Sequence, residues 1–169
     1  VTSRSEMDES GDIGGGRPLG PAGGVGQALP ALSFDLSQSE ARAIVVSCLD
    51  VLDPDPVLRD TLRLVLSEVL NNIVEHAYDG ALTGEVEIAQ EPAEGRLRLR
   101  ISDGGRAMPG GVLPRGGPVA LNGPRDDLPE GGFGWYLIRQ LSDRQCYERR
   151  AGRNYLWLDI LSSGAKYRA

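Results

Sequence analysis

Apolar residues recur along the chain with two rhythms, one of period two and one of three to four, and these mark out its elements. The segment Ala31-Leu-Ser-Phe-Asp-Leu36 alternates apolar and polar, which predicts a strand. Ser37 or Ser39 is placed to cap a helix running to about Leu52. Asp53-Pro-Asp-Pro56 is a turn, with Asp55 as the next N-cap and Pro56 at the first helical position, where its missing N–H costs nothing. From Pro56 to about Tyr78, Leu58, Leu62, Val65, Val69 and Ile73 form one stripe at spacings of three and four. Leu66, Leu70 and Val74 widen that stripe, and Asp79-Gly80 ends the helix.

The rhythm then changes to period two. Gly84–Gln90 and Arg96–Ser102 read as a hairpin turning at Glu94-Gly95. Arg96-Leu-Arg-Leu-Arg-Ile101 alternates cleanly, so one face is buried and the other basic. A long stretch rich in glycine and proline follows, with few apolar anchors. Inside a compact domain such a loop is usually functional or disordered. A helix from Gly134 to about Ser142 comes next, then strands over Arg144–Arg149 and Tyr155–Leu161 joined at Ala151-Gly152. This order predicts an α+β fold: a two-layer α/β sandwich, with helices on one face of a mixed, mostly antiparallel sheet.

Composition narrows the picture. The 169 residues suit one domain with a real core. Residues 1–29 carry eight glycines between Gly11 and Gly26, together with Pro18 and Pro21. Such a stretch cannot bury enough apolar surface to offset its ordering entropy and reads as a mobile tail, which leaves residues 30–169 as the domain. Eighteen basic and 24 acidic residues give a net charge of −6, which argues against direct nucleic-acid binding and is compatible with a basic protein partner. No run of about 18 apolar residues predicts a membrane span. Nothing at the N-terminus reads as a secretory signal, so the expected location is cytoplasmic. Cys48 and Cys146, the only cysteines, read as free thiols rather than a disulfide or metal site.

One absence sharpens the chemistry. The only lysine is Lys166, fourth from the end. A Walker A loop needs Gly-Lys-Ser/Thr, and a eukaryotic-type kinase needs a strand lysine on the phosphates. Neither can exist here, so any ATP chemistry follows another route.

Three short motifs offer one. On the strongest helix, Glu68 and Asn72 stand one turn apart, with Glu75 and His76 on nearly the same face. An amide oxygen is a suitable hard ligand for Mg²⁺, and a carboxylate one turn away can deprotonate a hydroxyl. Second, the strand ending at Asp103 runs into Gly104-Gly105. The aspartate can accept a hydrogen bond from an exocyclic amine, and glycine lets a flat ring approach the backbone. Third, Gly132 and Gly134 open a helix whose free N–H groups and dipole favour anions. Taken singly, these are a solvated helix face, an ordinary Asp-Gly turn and a glycine hinge. Their order and element context make them specific.

In that order the sequence resembles the GHKL ATPase superfamily, and within it the bacterial anti-sigma-factor serine/threonine kinases of partner-switching systems. The resemblance covers roughly residues 30–161. It implies a Bergerat-type ATP-binding fold, with ATP and Mg²⁺ as ligands. It makes Glu68 the catalytic base, Asn72 the Mg²⁺-binding residue, Asp103 the holder of the adenine amine with Gly105 beside it, and Gly132 and Gly134 phosphate-binding glycines. It makes residues 106–131 a lid, here rich in proline (Pro109, Pro114, Pro118, Pro124, Pro129), with Arg106, Arg115 and Arg125 as candidate phosphate contacts. It further implies a protein serine kinase that phosphorylates a STAS-domain antagonist and sequesters a sigma factor or similar regulator, and it is compatible with a homodimer. Two other readings share these residues: a nucleotide-binding regulatory module with little or no transfer, and a detached histidine-kinase catalytic domain. Against the second, His76 is the only histidine and lies inside the ATP-site helix.

Overall fold

The computed structural model describes residues 41–79, 84–93, 95–115 and 133–161, and the backbone of 32–35. The expected tail over 1–29, the helix caps Ser37 and Ser39, the second half of the expected lid and Gly132 lie outside the described residues. The elements are β1 (Leu32–Asp35), α1 (Ala41–Leu52), α2 (Pro56–Asn72), β2 (Glu85–Glu91), β3 (Arg96–Asp103), α3 (Phe133–Leu141), β4 (Arg144–Arg150) and β5 (Arg153–Leu161). The strands form one sheet in the order β1-β2-β3-β5-β4. Every pairing described is antiparallel, so the sheet expected to be mixed is antiparallel throughout these residues.

Local chemistry sets the boundaries. Asp55 caps α2 through its Oδ1, which accepts from the Leu58 N–H at 3.0 Å, and Pro56 occupies the first turn. Arg59 ties the end of α1 to the start of α2, donating to the Leu49 carbonyl at 3.1 Å and to Asp50 at 2.7 Å. Replacing Asp55 with alanine should lower stability by about 1 kcal/mol, the usual cost of a lost N-cap, and urea denaturation measures it. Ala151 and Gly152 both have positive φ, 49° and 81°, as a tight two-residue hairpin with the right-handed strand twist requires.

The expected stripe on α2 is buried: Leu58, Leu62, Val65, Leu66, Val69 and Leu70. It packs with Ile44, Cys48 and Leu49 of α1 and Ile138 of α3 in a core completed by Leu97, Leu99 and Ile101 of β3 and Leu156, Leu158 and Ile160 of β5. Cys48 and Cys146 are free. Burial pushes the Cys48 thiol up to about 12, so it stays protonated and inert.

Two expectations change on contact with the structure. The long helix is not α-helical to Tyr78. After Asn72 it loosens into a π-helical turn over Ile73–Ala77, closed by the Tyr78 N–H on the Ile73 carbonyl at 3.1 Å, and Asp79 then takes a left-handed conformation at φ 57°. The second change concerns the arginine face of β3, which is not an open basic patch. Arg98 forks onto Asp159 of β5, with Nε 2.6 Å from Oδ1 and Nη2 2.8 Å from Oδ2. Arg96 lies 3.5 Å from the same carboxylate, and Arg100 bridges Glu87 and Glu91 of β2 at 2.8 and 3.0 Å. Register places Glu91 and Asp159 opposite Arg98, and Arg96 and Arg100 reach acids one pair away on the same face, so their charge is consumed within the sheet.

Candidate functional site

Glu68 and Asn72 point from α2 toward the N-terminal end of α3. The Asn72 side-chain Nδ2 donates to the Glu68 carbonyl at 2.6 Å. Its amide nitrogen is thereby tied to the helix backbone, which leaves Oδ1 as its acceptor atom. Gly134 closes against this pair. A Cβ built there would stand 2.6 Å from Glu68 Oε2 and 3.3 Å from Asn72 Nδ2, so any larger residue would push the Glu68 carboxylate from its present place. Gly134 of the third motif is thus brought to Glu68 and Asn72 of the first. Burial, and secondarily the charge of Glu75, raises the pKa of the Glu68 carboxyl above its ordinary value. Glu75 and His76 themselves are exposed on the π-helical turn. Such turns, which widen a helix by one residue, recur at functional sites.

Asp103 sits at the end of β3, two residues beyond Ile101 on the face toward the helices, paired across the sheet with Asn154. It is buried, at 5% exposure. Its Oδ1 accepts two bonds at 2.8 Å, from the Gly105 N–H and from Asn154 Nδ2. Among the described residues nothing donates to Oδ2, which leaves this carboxylate oxygen for an incoming donor. Desolvation raises the Asp103 pKa, opposed by the bonds from Asn154 and Gly105 and by the charges of Arg149 and Arg153.

Gly105 has a different reason from the one the sequence suggested. A Cβ there would meet the Ala77 Cβ and carbonyl oxygen at 2.6 Å and the Ala77 carbonyl carbon at 2.8 Å. The close approach is to the backbone of the π-helical turn, and the Arg106 N–H completes it on the Ala77 carbonyl at 2.8 Å. Tyr78 adds a second tie, accepting from the Gly104 N–H at 3.1 Å and donating to the Glu85 carbonyl at 2.8 Å. These contacts dock the loop carrying Asp103 and Gly105 onto the end of the helix carrying Glu68 and Asn72. Because backbone cannot yield as a flexible side chain can, Gly105→Ala should destabilise by about 1–3 kcal/mol, read from thermal or urea unfolding.

Of the lid arginines, Arg106 is held by Asp79 at 2.6 Å, Arg115 is exposed, and Arg125 lies outside the described residues. Among the described residues no group of three or more His, Cys, Asp or Glu side chains is arranged to hold a metal ion. The residues present suit a nucleotide: an open acceptor on Asp103 for an amine, a glycine cradle at α3, and a polar oxygen on Asn72. The sequence reading passed over Tyr147 and Arg149, which surround Asn154. Their signal was the period-two pattern of β4, which puts both on the same face as Asn154.

A helix bearing an acid and an amide, docked against a strand-end aspartate and a glycine-opened helix in an α/β sandwich, is the arrangement of a GHKL-type nucleotide-binding domain. The model of the histidine kinase-like ATPase domain family matches residues 32–160, and the chain belongs to that family. Among curated proteins it is similar to the serine-protein kinase RsbW of Bacillus cereus, 38% identical over 85 residues. It is likewise similar to the proteins of that name from Bacillus mycoides and Bacillus thuringiensis, each 36% identical over 85 residues. Each match covers 50% of this chain and 52% of the relative, so the chain spans about half the length of the curated relatives it matches. Among the described residues no helix is long and apolar enough to cross a membrane.

Proposed function

We propose that this domain binds ATP with Mg²⁺, transfers the γ-phosphoryl group to a serine of a STAS-domain antagonist, and sequesters a sigma factor or similar regulator in the cytoplasm. The observation that carries the reading is the convergence of Glu68, Asn72 and Gly134 at one point of α2. The likeness to serine-protein kinases supports it.

Bound ATP supplies the phosphoryl group, and Mg²⁺ neutralises charge on its phosphates. Asn72 offers its amide oxygen to the cation. Asp103 accepts the adenine amine on Oδ2, with Gly105 holding the loop in place. Gly134, with Gly132 before it, opens α3 so that its first N–H groups meet phosphate oxygens. Glu68 takes the proton of the serine hydroxyl as its oxygen bonds to phosphorus and ADP departs. A carboxyl with a raised pKa is a better proton acceptor near neutral pH than an ordinary one.

An exposed surface lies beside this machinery. Val46 of α1 and Leu64 of α2 are 50% and 41% exposed. A cavity of about 360 Å³ opens between the two helices, lined among others by Arg42, Val46, Arg63 and Asn71. It shares no residue with the nucleotide site.

The test is transfer of radiolabelled γ-phosphate from ATP to candidate STAS-domain proteins from the native cell. A labelled serine on one of them is the expected result. Stoichiometric nucleotide binding without transfer to any of them would reduce the protein to a nucleotide-dependent binding module. Label on an aspartate-bearing receiver would instead point to the histidine-kinase reading.

A further inference from the structure

Resting on the proposed adenine site, we propose that Asn154, held by Tyr147 and Arg149, is the positioning residue that makes Asp103 an obligate acceptor and so excludes bases with a carbonyl where adenine has its amine. The case comes from the direction of the hydrogen bonds. Arg149 can only donate. Its Nη1 gives to Asn154 Oδ1 at 2.6 Å and to the Gly105 carbonyl at 2.9 Å. Asn154 Oδ1 also accepts from the Tyr147 hydroxyl at 2.8 Å, and that hydroxyl accepts the Met108 N–H at 3.1 Å.

With its oxygen fixed by these donors, the Asn154 amide cannot flip. Its Nδ2 must face the other way, where it donates at 2.8 Å to Asp103 Oδ1 and at 2.8 Å to the Arg106 carbonyl. Both hydrogens and both lone pairs of the amide are used, in a side chain only 5% exposed. Asp103 Oδ1 therefore receives two donors, from Asn154 and from the Gly105 N–H, and can carry no proton of its own. The charges acting on Asp103 are Arg149 of β4, on its own face, and Arg153 of β5, on the opposite face and 3.8 Å from Glu85 of β2. Both favour the carboxylate. What remains for a ligand is Oδ2 as an acceptor, which welcomes an exocyclic amine and repels a carbonyl. Burial alone pulls the other way, toward a protonated carboxyl that could donate to such a carbonyl. Asn154 counters it.

The experiment measures dissociation constants of Mg-ADP and Mg-IDP by calorimetry on the full chain, for the wild type, Asn154→Leu and Tyr147→Phe. Inosine has a carbonyl where adenosine has its amine, and its N1 carries a hydrogen. The wild type should prefer ADP by about a hundredfold or more, as sites built to bond a donor reject analogues lacking it. Asn154→Leu should narrow that preference by about tenfold or more, because Asp103 then loses the donor that holds it as an acceptor. Tyr147→Phe should narrow it in the same direction by less, and it serves if Asn154→Leu does not fold. A residue that only supports the fold would weaken both nucleotides alike and leave their ratio unchanged. A wild type selective for ADP, with the ratio unmoved in a folded variant, overturns the role of Asn154 alone. A wild type that binds neither nucleotide overturns the adenine site, and this inference with it.

Discussion

Glu68→Gln should lower phosphoryl transfer to a protein serine by about 10²–10⁴-fold, the usual contribution of a positioned general base, and leave nucleotide affinity little changed. Glutamine keeps the shape that packs under Gly134, and the backbone carbonyl that anchors Asn72 is untouched by the change. What is lost is the proton acceptor. Single-turnover transfer and calorimetric Mg-ADP binding, measured side by side, separate the two effects. Transfer retained within tenfold of wild type would remove Glu68 from the chemistry.

The same substitution has a second consequence, through pH. Burial and Glu75 raise the Glu68 pKa in the folded, ligand-free protein. A carboxyl raised in this way contributes stability that is fully present below its unfolded-state value and is lost as pH rises through the folded value. At neutral pH the ionised group is therefore a burden on the fold, and Glu68→Gln should melt no lower than wild type there. Asp103, also raised, acts in the same sense. Catalysis needs the ionised form of Glu68, so transfer should rise with pH over the window in which this stability declines. Function and stability oppose each other at this residue.

Asp159→Ala should destabilise the domain by about 3–5 kcal/mol, because it strands the buried Arg98 guanidinium without its partner. The Asp159 side chain has no exposed area, and that of Arg98 is 9% exposed. The pair lies on the sheet face away from the helices, where β3 and β5 meet. The double replacement Arg98→Met with Asp159→Leu should recover most of the loss, since well-packed apolar groups often replace a buried pair without penalty. Urea denaturation of the three variants measures both effects. A single-variant loss under about 1 kcal/mol would mean that water reaches Arg98 after all.

Much of the architecture was legible because it depends on local periodicity. The Leu58-to-Val69 stripe and the alternation of Arg96–Ile101 each determine a face without reference to the rest of the chain. The π-helical turn was not legible, since the residues of Ile73–Ala77 suit an i to i+4 ladder as well as an i to i+5 one. The neutralised arginine face also escaped. Alternation shows that Arg96, Arg98 and Arg100 share a side, but only inter-strand register brings Glu87, Glu91 and Asp159 within their reach. At the candidate site, motif order singled out Glu68, Asn72, Asp103 and Gly134, and the structure brings Glu68, Asn72 and Gly134 together. Gly105 was read as making room for a ligand, whereas its tight neighbour is Ala77. The bonds from Asn154 to Asp103 and Arg106 join residues 51 and 48 apart in the chain, a distance at which spacing carries no information.

The central claim is that Asp103 and Asn72 belong to one adenine-nucleotide site. Calorimetric titration of the full chain with Mg-ADP puts it to the test, using wild type, Asp103→Asn and Asn72→Ala. In Asp103→Asn the oxygen would stay with the Gly105 and Asn154 donors, so the new NH₂ would face the adenine amine, donor against donor. The wild type should bind one equivalent, and each variant should lose about tenfold or more in affinity, the scale of a hydrogen bond or metal contact to a buried polar group. A wild type that takes up no Mg-ADP, or variants that bind it as tightly as wild type, would contradict the claim.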